Sequence, residues 1–167
     1  MSVREMFGEL PDGMSFWHPA ALISTWFGAG LMPIGPGTWG SAAALPLGFA
    51  LMWLGGPIAL AVAIVCVTAA GWWAAGKFVK ALNAQDPPEI VVDEVVAQWL
   101  VLTITPLSWW GYLAAFLVFR AFDTVKPWPI HLIDQHVDGA AGVMLDDLAA
   151  GAAAFVAMGL LVWMGFV

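Results

Sequence analysis

Apolar residues along this chain come in long, almost unbroken runs, and the breaks fall at glycine and proline rather than at charged positions. Residues 13–76 contain no acid, lysine or arginine, and His18 is the one side chain there able to carry charge near neutrality. Residues 26–40, WFGAGLMPIGPGTWG, hold so many helix breakers that they predict a non-helical loop. Residues 41–54 form a first apolar segment, and Gly55-Gly56-Pro57 predicts a turn. Residues 57–76 form the clearest span: twenty residues at ~1.5 Å each cover about 30 Å, the thickness of a bilayer's hydrocarbon core. Lys77 and Lys80 end it, and Pro87-Pro88 forbids a helix across the next stretch.

A helix is expected to start near Glu89, carry Asp93 and Glu94, run through residues 95–105 and break around Pro106. A fourth segment covers residues 109–119, ends at Arg120 and Asp123, and is closed by Pro127 and Pro129. Residues 131–147 are read as polar linkers, and residues 148–167 as a last apolar segment. The expected fold is therefore all-α: a polytopic membrane helical bundle of five segments, with polar loops and helix ends forming one site. It is a single domain over residues 1–167, with residues 1–15 as a mobile tail. The start, MSVREMFGELPDG, mixes both charge signs and lacks an apolar core with a cleavage site, so no signal peptide is expected.

Composition strengthens the membrane reading. Hydrophobic residues make up 62% of the chain and charged residues 10%, where a soluble domain has about 25% charged. Mean hydropathy is +0.87. Under the five-segment topology all five basic residues, Arg4, Lys77, Lys80, Arg120 and Lys126, fall on one side, which the positive-inside rule makes cytoplasmic. Trp53, Trp109, Trp110 and Trp163 fall toward the opposite interface, and Trp72, Trp73 and Trp128 toward the cytoplasmic one. A net charge of −7 gives no basic patch for a nucleic acid. Cys66, the single cysteine, excludes an internal disulfide and lies in an apolar run.

The candidate chemistry lies in the acids. Glu5, Glu9 and Asp12 sit in the tail, and the other nine lie between positions 86 and 147, on the side of the basic residues. Asp93-Glu94 and Asp146-Asp147 are pairs abutting apolar segments, and Asp123 ends another, with Arg120 and Lys126 three residues to either side. Carboxylates gathered at a low-dielectric surface repel one another and are costly to desolvate. Two nearby cations are too few to hold them, so a divalent metal is the simplest answer. An oxygen-rich set without a cysteine pair or His-x-x-x-His favours a hard ion such as Mg2+, which can polarise a phosphoryl group and activate water. Gly37 and its neighbouring glycines allow close backbone approach to a phosphate, and Thr38 and Ser41 could add hydroxyl donors. Glu89 and Asp134 are read as ordinary surface acids, and the three histidines have no metal-like spacing.

Three blocks, in order, resemble the phosphatidylglycerophosphatase A family. They are residues 26–47, WFGAGLMPIGPGTWGSAAALPL; residues 86–99, DPPEIVVDEVVAQW; and a run from Phe119-Arg120 through Asp123 and Lys126-Pro127-Trp128-Pro129-Ile130 to Asp146-Asp147 and Ala150-Gly151. The ordered set extends over most of the chain, and no block is specific alone. The resemblance implies a magnesium-dependent hydrolase of the bacterial inner membrane, with its active site facing the cytoplasm. Such an enzyme removes the terminal phosphate of phosphatidylglycerophosphate to leave phosphatidylglycerol, among the membrane lipids around it. It also implies that Asp93, Glu94, Asp123, Asp146 and Asp147 are catalytic and metal-binding, with Arg120 and Lys126 at the family's basic positions. Ala97 and Ala140 stand where the family commonly has glycine, which touches packing and not the acids.

Two rival readings compete with this one. A proton- or ion-coupled transporter could use the same carboxylates, although transporter acids tend to sit at the midplane between repeat-related halves and no repeat is visible. A CDP-alcohol phosphatidyltransferase is faintly suggested by Asp138-Gly139-Ala140-Ala141, but Gly142 stands where its arginine would be. No D-x-D, reactive cysteine or serine–histidine arrangement offers a nucleophile, so attack by water is favoured over a phospho-enzyme. Oligomeric state is not legible.

Overall fold

The structure is a computed structural model and describes residues 8–167. Arg4, Glu5 and the first half of the expected tail lie outside the described residues. Within the remainder of that tail, the Gly8 N–H donates to Leu31 O at 3.1 Å, and Leu10 and Met14 pack against the core. The elements are α1 (Pro19–Ser24), a 3-10 turn (Ala29–Leu31), α2 (Pro36–Leu82), α3 (Val92–Leu102), α4 (Trp109–Val125), α5 (Ile130–His136) and α6 (Gly139–Trp163). Among the described residues there is no strand, so the fold is all-α.

Helix α2 is two helices joined by a sharp turn. Gly56 has φ 63° and ψ −162°, a left-handed conformation that glycine adopts without the clash a Cβ would bring, and Pro57 follows it. A Cβ built on Gly40 would fall 2.6 Å from Val91 Cβ, and one on Gly71 would fall 3.1 Å from the Val92 methyls. Along a straight helix those two glycines would stand about 46 Å apart, yet both abut the start of α3. The chain therefore folds back at Gly56, as the Gly-Gly-Pro signal predicted. The first arm, 36–55, runs alongside α3: Gly40 meets Val91, Gly48 meets Trp99 and Leu102, and Trp99 Nε1 donates to Ala44 O at 2.8 Å.

The direction of every helix follows. The start of α2, its end at Leu82, the start of α3, the end of α4, α5 and the start of α6 share one end of the bundle. The turn of α2, with Trp53 beside it, shares the other end with the start of α4 (Trp109, Trp110) and the end of α6 (Trp163). Lys77, Lys80, Arg120 and Lys126 lie toward the first end, and the four tryptophans toward the second, as expected.

Apolar side chains cover the outside. Ile58 is 79% exposed, Val65 69% and Val156 62%, and a belt of this kind on a soluble monomer would be an aggregation surface. Helices α2 and α6 are long and apolar enough to cross a membrane. Helix α3, with 11 residues, covers only about 16 Å and cannot cross alone.

Several boundaries differ from those read in the sequence. Residues 26–40 are not wholly a non-helical loop: they hold the 3-10 turn, and α2 begins at Pro36, because proline at the first helical position presets the backbone there. Helix α3 begins at Val92 rather than near Glu89, after a turn in which the Ile90 N–H donates to Pro87 O at 3.1 Å. Helix α4 runs on two residues past Asp123 to Val125, so Arg120 and Asp123 share its last turns, as read from the sequence. Residues 131–147 are not linkers: α5 fills 130–136, and α6 starts at Gly139, placing Asp146 and Asp147 two turns inside it. The physical reason is helix propensity, since Ala140, Ala141, Met144 and Leu145 are good helix formers and outweigh the polar pair that follows.

Candidate active site

Four helices deliver the polar side chains. The first turn of α3 carries Asp93 and Glu94, where negative charge suits the helix dipole. The third turn of α6 carries Asp146 and Asp147, and the last turns of α4 carry Arg120 and Asp123. Lys126 ends α4 in a left-handed conformation, φ 43°, which turns the chain at the rim of the site. The start of α2 brings Gly35, Pro36 and Gly37. Together these line a cavity of about 320 Å³, with Asp86 and Thr124.

Within it the five acids divide. Asp93, Glu94 and Asp147 each offer a carboxylate oxygen, all within 4.8 Å of one another. The other two are engaged by cations. Arg120 Nη1 is paired with Asp123 Oδ2, and Lys126 Nζ lies 2.5 Å from Asp146 Oδ2. Arg120 Nη1 also lies 4.0 Å from Glu94 Oε1 and donates to Ser41 Oγ at 3.4 Å. Ser41 Oγ in turn donates to Gly37 O at 2.8 Å, fixing the α2 start against α4. Each acidic pair carries the same local brace: Asp93 Oδ1 accepts the Glu94 N–H at 3.0 Å, and Asp146 Oδ1 accepts the Asp147 N–H at 2.9 Å.

The converging acids are uncomfortable as they stand. Burial, then the charges of Glu94 and Asp147, push the Asp93 carboxyl well above the usual carboxylate range. Burial raises Glu94 to about 7, although its hydrogen bond with Asp93 and the Arg120 charge pull the other way. Glu94 Oε2 and Asp147 Oδ2 are buried without a hydrogen-bond partner, and such orphaned acceptors are costly. A hard divalent cation meets both needs, because it offers positive charge and accepts oxygen ligands. The donor set fits.

Asp93, Glu94, Asp123, Asp146, Asp147, Arg120, Lys126 and Gly37 all line the one cavity. Thr38 does not: it is exposed and its hydroxyl lies beside Gly35. Ser41 is brought in, as a brace between Arg120 and Gly37 rather than at the cavity wall. Asp86 and Thr124 were not singled out in the sequence. Asp86 precedes Pro87-Pro88, and that turn signal was the only hint of its placement.

The phosphatidylglycerophosphatase A family model matches residues 22–162 of the chain. A phosphatidylglycerophosphatase A of Escherichia coli (strain K12) is 36% identical over 152 residues, covering 89% of this chain and 83% of its own length. One of Haemophilus influenzae (strain ATCC 51907 / DSM 11121 / KW20 / Rd) is 39% identical, covering 90% and 94%. A Bacteroides thetaiotaomicron protein named provisionally as a phosphatidylinositol-3-phosphatase is 38% identical, covering 85% and 92%. No solved structure matches the chain.

Proposed function

The chain belongs to the phosphatidylglycerophosphatase A family, a family of phosphoric monoester hydrolases, and on that premise we propose that it hydrolyses phosphatidylglycerophosphate to phosphatidylglycerol and phosphate with Mg2+ as cofactor. The observation that carries the reading is the convergence of Asp93, Glu94 and Asp147 in a cavity shared with Arg120 and Lys126. The Bacteroides relative's name points to a different lipid headgroup, but the shared chemistry is a phosphomonoester on a lipid.

Asp93, Glu94 and Asp147 would hold the magnesium. When bound, the ion supplies charge neutralisation and polarisation of the phosphoryl oxygens. The chain's own residues do the rest. Among the described residues the ion pairs and hydrogen bond of Arg120 run through Nη1, and Nη2 and Nε would fork onto two phosphate oxygens. Asp123 and the Ser41–Gly37 brace hold the guanidinium in that attitude. Lys126, pinned by Asp146, sets a second positive charge at the rim. No cysteine, serine or histidine lines the described cavity, which supports attack on phosphorus by water. The terminal P–O bond breaks, the lipid alkoxide takes a proton, and inorganic phosphate leaves.

The swap of the two cations tests this directly. Arg120→Lys keeps the charge but loses the planar fork, so most activity should disappear at saturating magnesium. Lys126→Arg should be mild, because a point charge at the rim is largely replaceable. Near-normal hydrolysis by both variants would remove Arg120 from the phosphate site.

The site is further proposed to face the cytoplasm of a bacterial inner membrane, supported by the basic residues gathered at its end of the bundle. With Cys66 replaced, cysteines introduced at Ala84, Thr124 and Ala140 should all react with an impermeant reagent from the cytoplasmic face only. Reaction of Thr124 from the face opposite to Ala84 would split the cluster across the bilayer.

A further inference from the structure

Gln98 lies one helical turn beyond Glu94 in α3, so the two side chains share a face of that helix. It is fully buried, and neither its amide nitrogen nor its amide oxygen has a hydrogen-bond partner. Val95, Val96, Ala97 and Trp99 around it are apolar and buried. An apolar residue would fill the same space without stranding an amide, so packing alone gives no reason for glutamine here.

A matching need lies one helical turn away, on Glu94. Its Oε1 faces Gly37 and Arg120, while its Oε2 is buried and unpartnered. A carboxylate only accepts hydrogen bonds, and an amide supplies two N–H donors. We infer that Gln98 is a positioning residue for Glu94: its amide N–H holds Glu94 Oε2 through one bridging water, and thereby aims the carboxylate into the cluster with Asp93 and Asp147. The amide oxygen then accepts from the same ordered water. The inference rests on reading that cluster as a metal site, where groups behind a ligand commonly change metal affinity about 10- to 100-fold.

Mn2+ binding to the purified, substrate-free protein, followed by loss of the free-ion spin-resonance signal, tests it apart from catalysis. Gln98→Leu should weaken Mn2+ binding about 10-fold or more, while the metal-free protein melts no lower than wild type. Gln98→Met should do the same, and serves if the leucine variant does not accumulate. Half-saturating magnesium for hydrolysis should rise in step, with the rate at saturating magnesium near normal. In a Glu94→Gln background, Gln98→Leu should weaken Mn2+ binding no further, because its route through Glu94 is gone. Unchanged Mn2+ affinity in both Gln98 variants, or an equal added loss in the Glu94→Gln background, overturns the inference and leaves the metal site standing. Failure of the wild-type protein to take up Mn2+ overturns both.

Discussion

Asp147→Asn should lower phosphate release about a thousandfold, equivalent to about 4 kcal/mol of transition-state stabilisation, in a protein that still inserts and melts normally. Asp147 is 4% exposed, its Oδ2 has no protein partner, and its other neighbours in the site are acids. Asparagine keeps the shape but removes the charge that binds a cation. In the metal-free protein the change relieves repulsion with Glu94, so stability should hold or rise. Asp93→Asn should behave alike, since its Oδ1 can still accept the Glu94 N–H while the negative charge is lost. Both variants should need more magnesium for what activity remains. Turnover within tenfold of wild type and an unchanged magnesium requirement would return these carboxylates to ordinary buried helix-end charges.

Gly37→Ala should also abolish most activity, although it adds a single methyl group at the start of a helix. The new Cβ would fall 1.9 Å from Glu94 Oε1 and 3.3 Å from Arg120 Nη1. Glu94 ends in a flexible carboxylate, so the collision is relieved by displacing it rather than by unfolding the bundle. Alanine is also a better helix former than glycine by about 0.5–1 kcal/mol, which favours the fold. A displacement of about 1 Å at a reacting centre costs about a hundredfold in rate, and that is the loss expected at unchanged thermal midpoint. Gly76→Ala is the control, because its added Cβ meets nothing nearer than Ala140 Cβ at 3.8 Å. Equal activity in the two alanine variants would show that Glu94 need not stay where Gly37 leaves room for it.

Much of this was legible in the chain itself. The Gly55-Gly56-Pro57 break foretold the fold-back of α2, and the charge-free run from 13 to 76 foretold its apolar exterior. Apart from Asp86, the acids and bases that line the cavity are legible from their positions at segment ends, because charged groups in a charge-poor chain have few other places to go. What sequence could not convey was depth and direction. Asp146 and Asp147 looked like the edge of a linker, since polarity was weighed over the helix-forming residues before them. Thr38 and Gly37 are neighbours in sequence, but on a helix they diverge by about 100°, and only Gly37 faces the cavity. Helical spacing put Arg120 and Asp123 on one face, where they pair, but it could not show that Lys126 would take Asp146 and leave three acids to converge. Gln98 left the faintest trace, one amide inside an apolar run four residues after Glu94.

The most direct test is release of inorganic phosphate from phosphatidylglycerophosphate by the purified protein, measured with the metal chelated and then with magnesium restored. The expected result is negligible release under chelation, rapid release once magnesium returns, and phosphatidylglycerol as the lipid product. Release that continues undiminished under chelation would contradict the metal-centred site, and no release with magnesium present would contradict the proposed reaction itself.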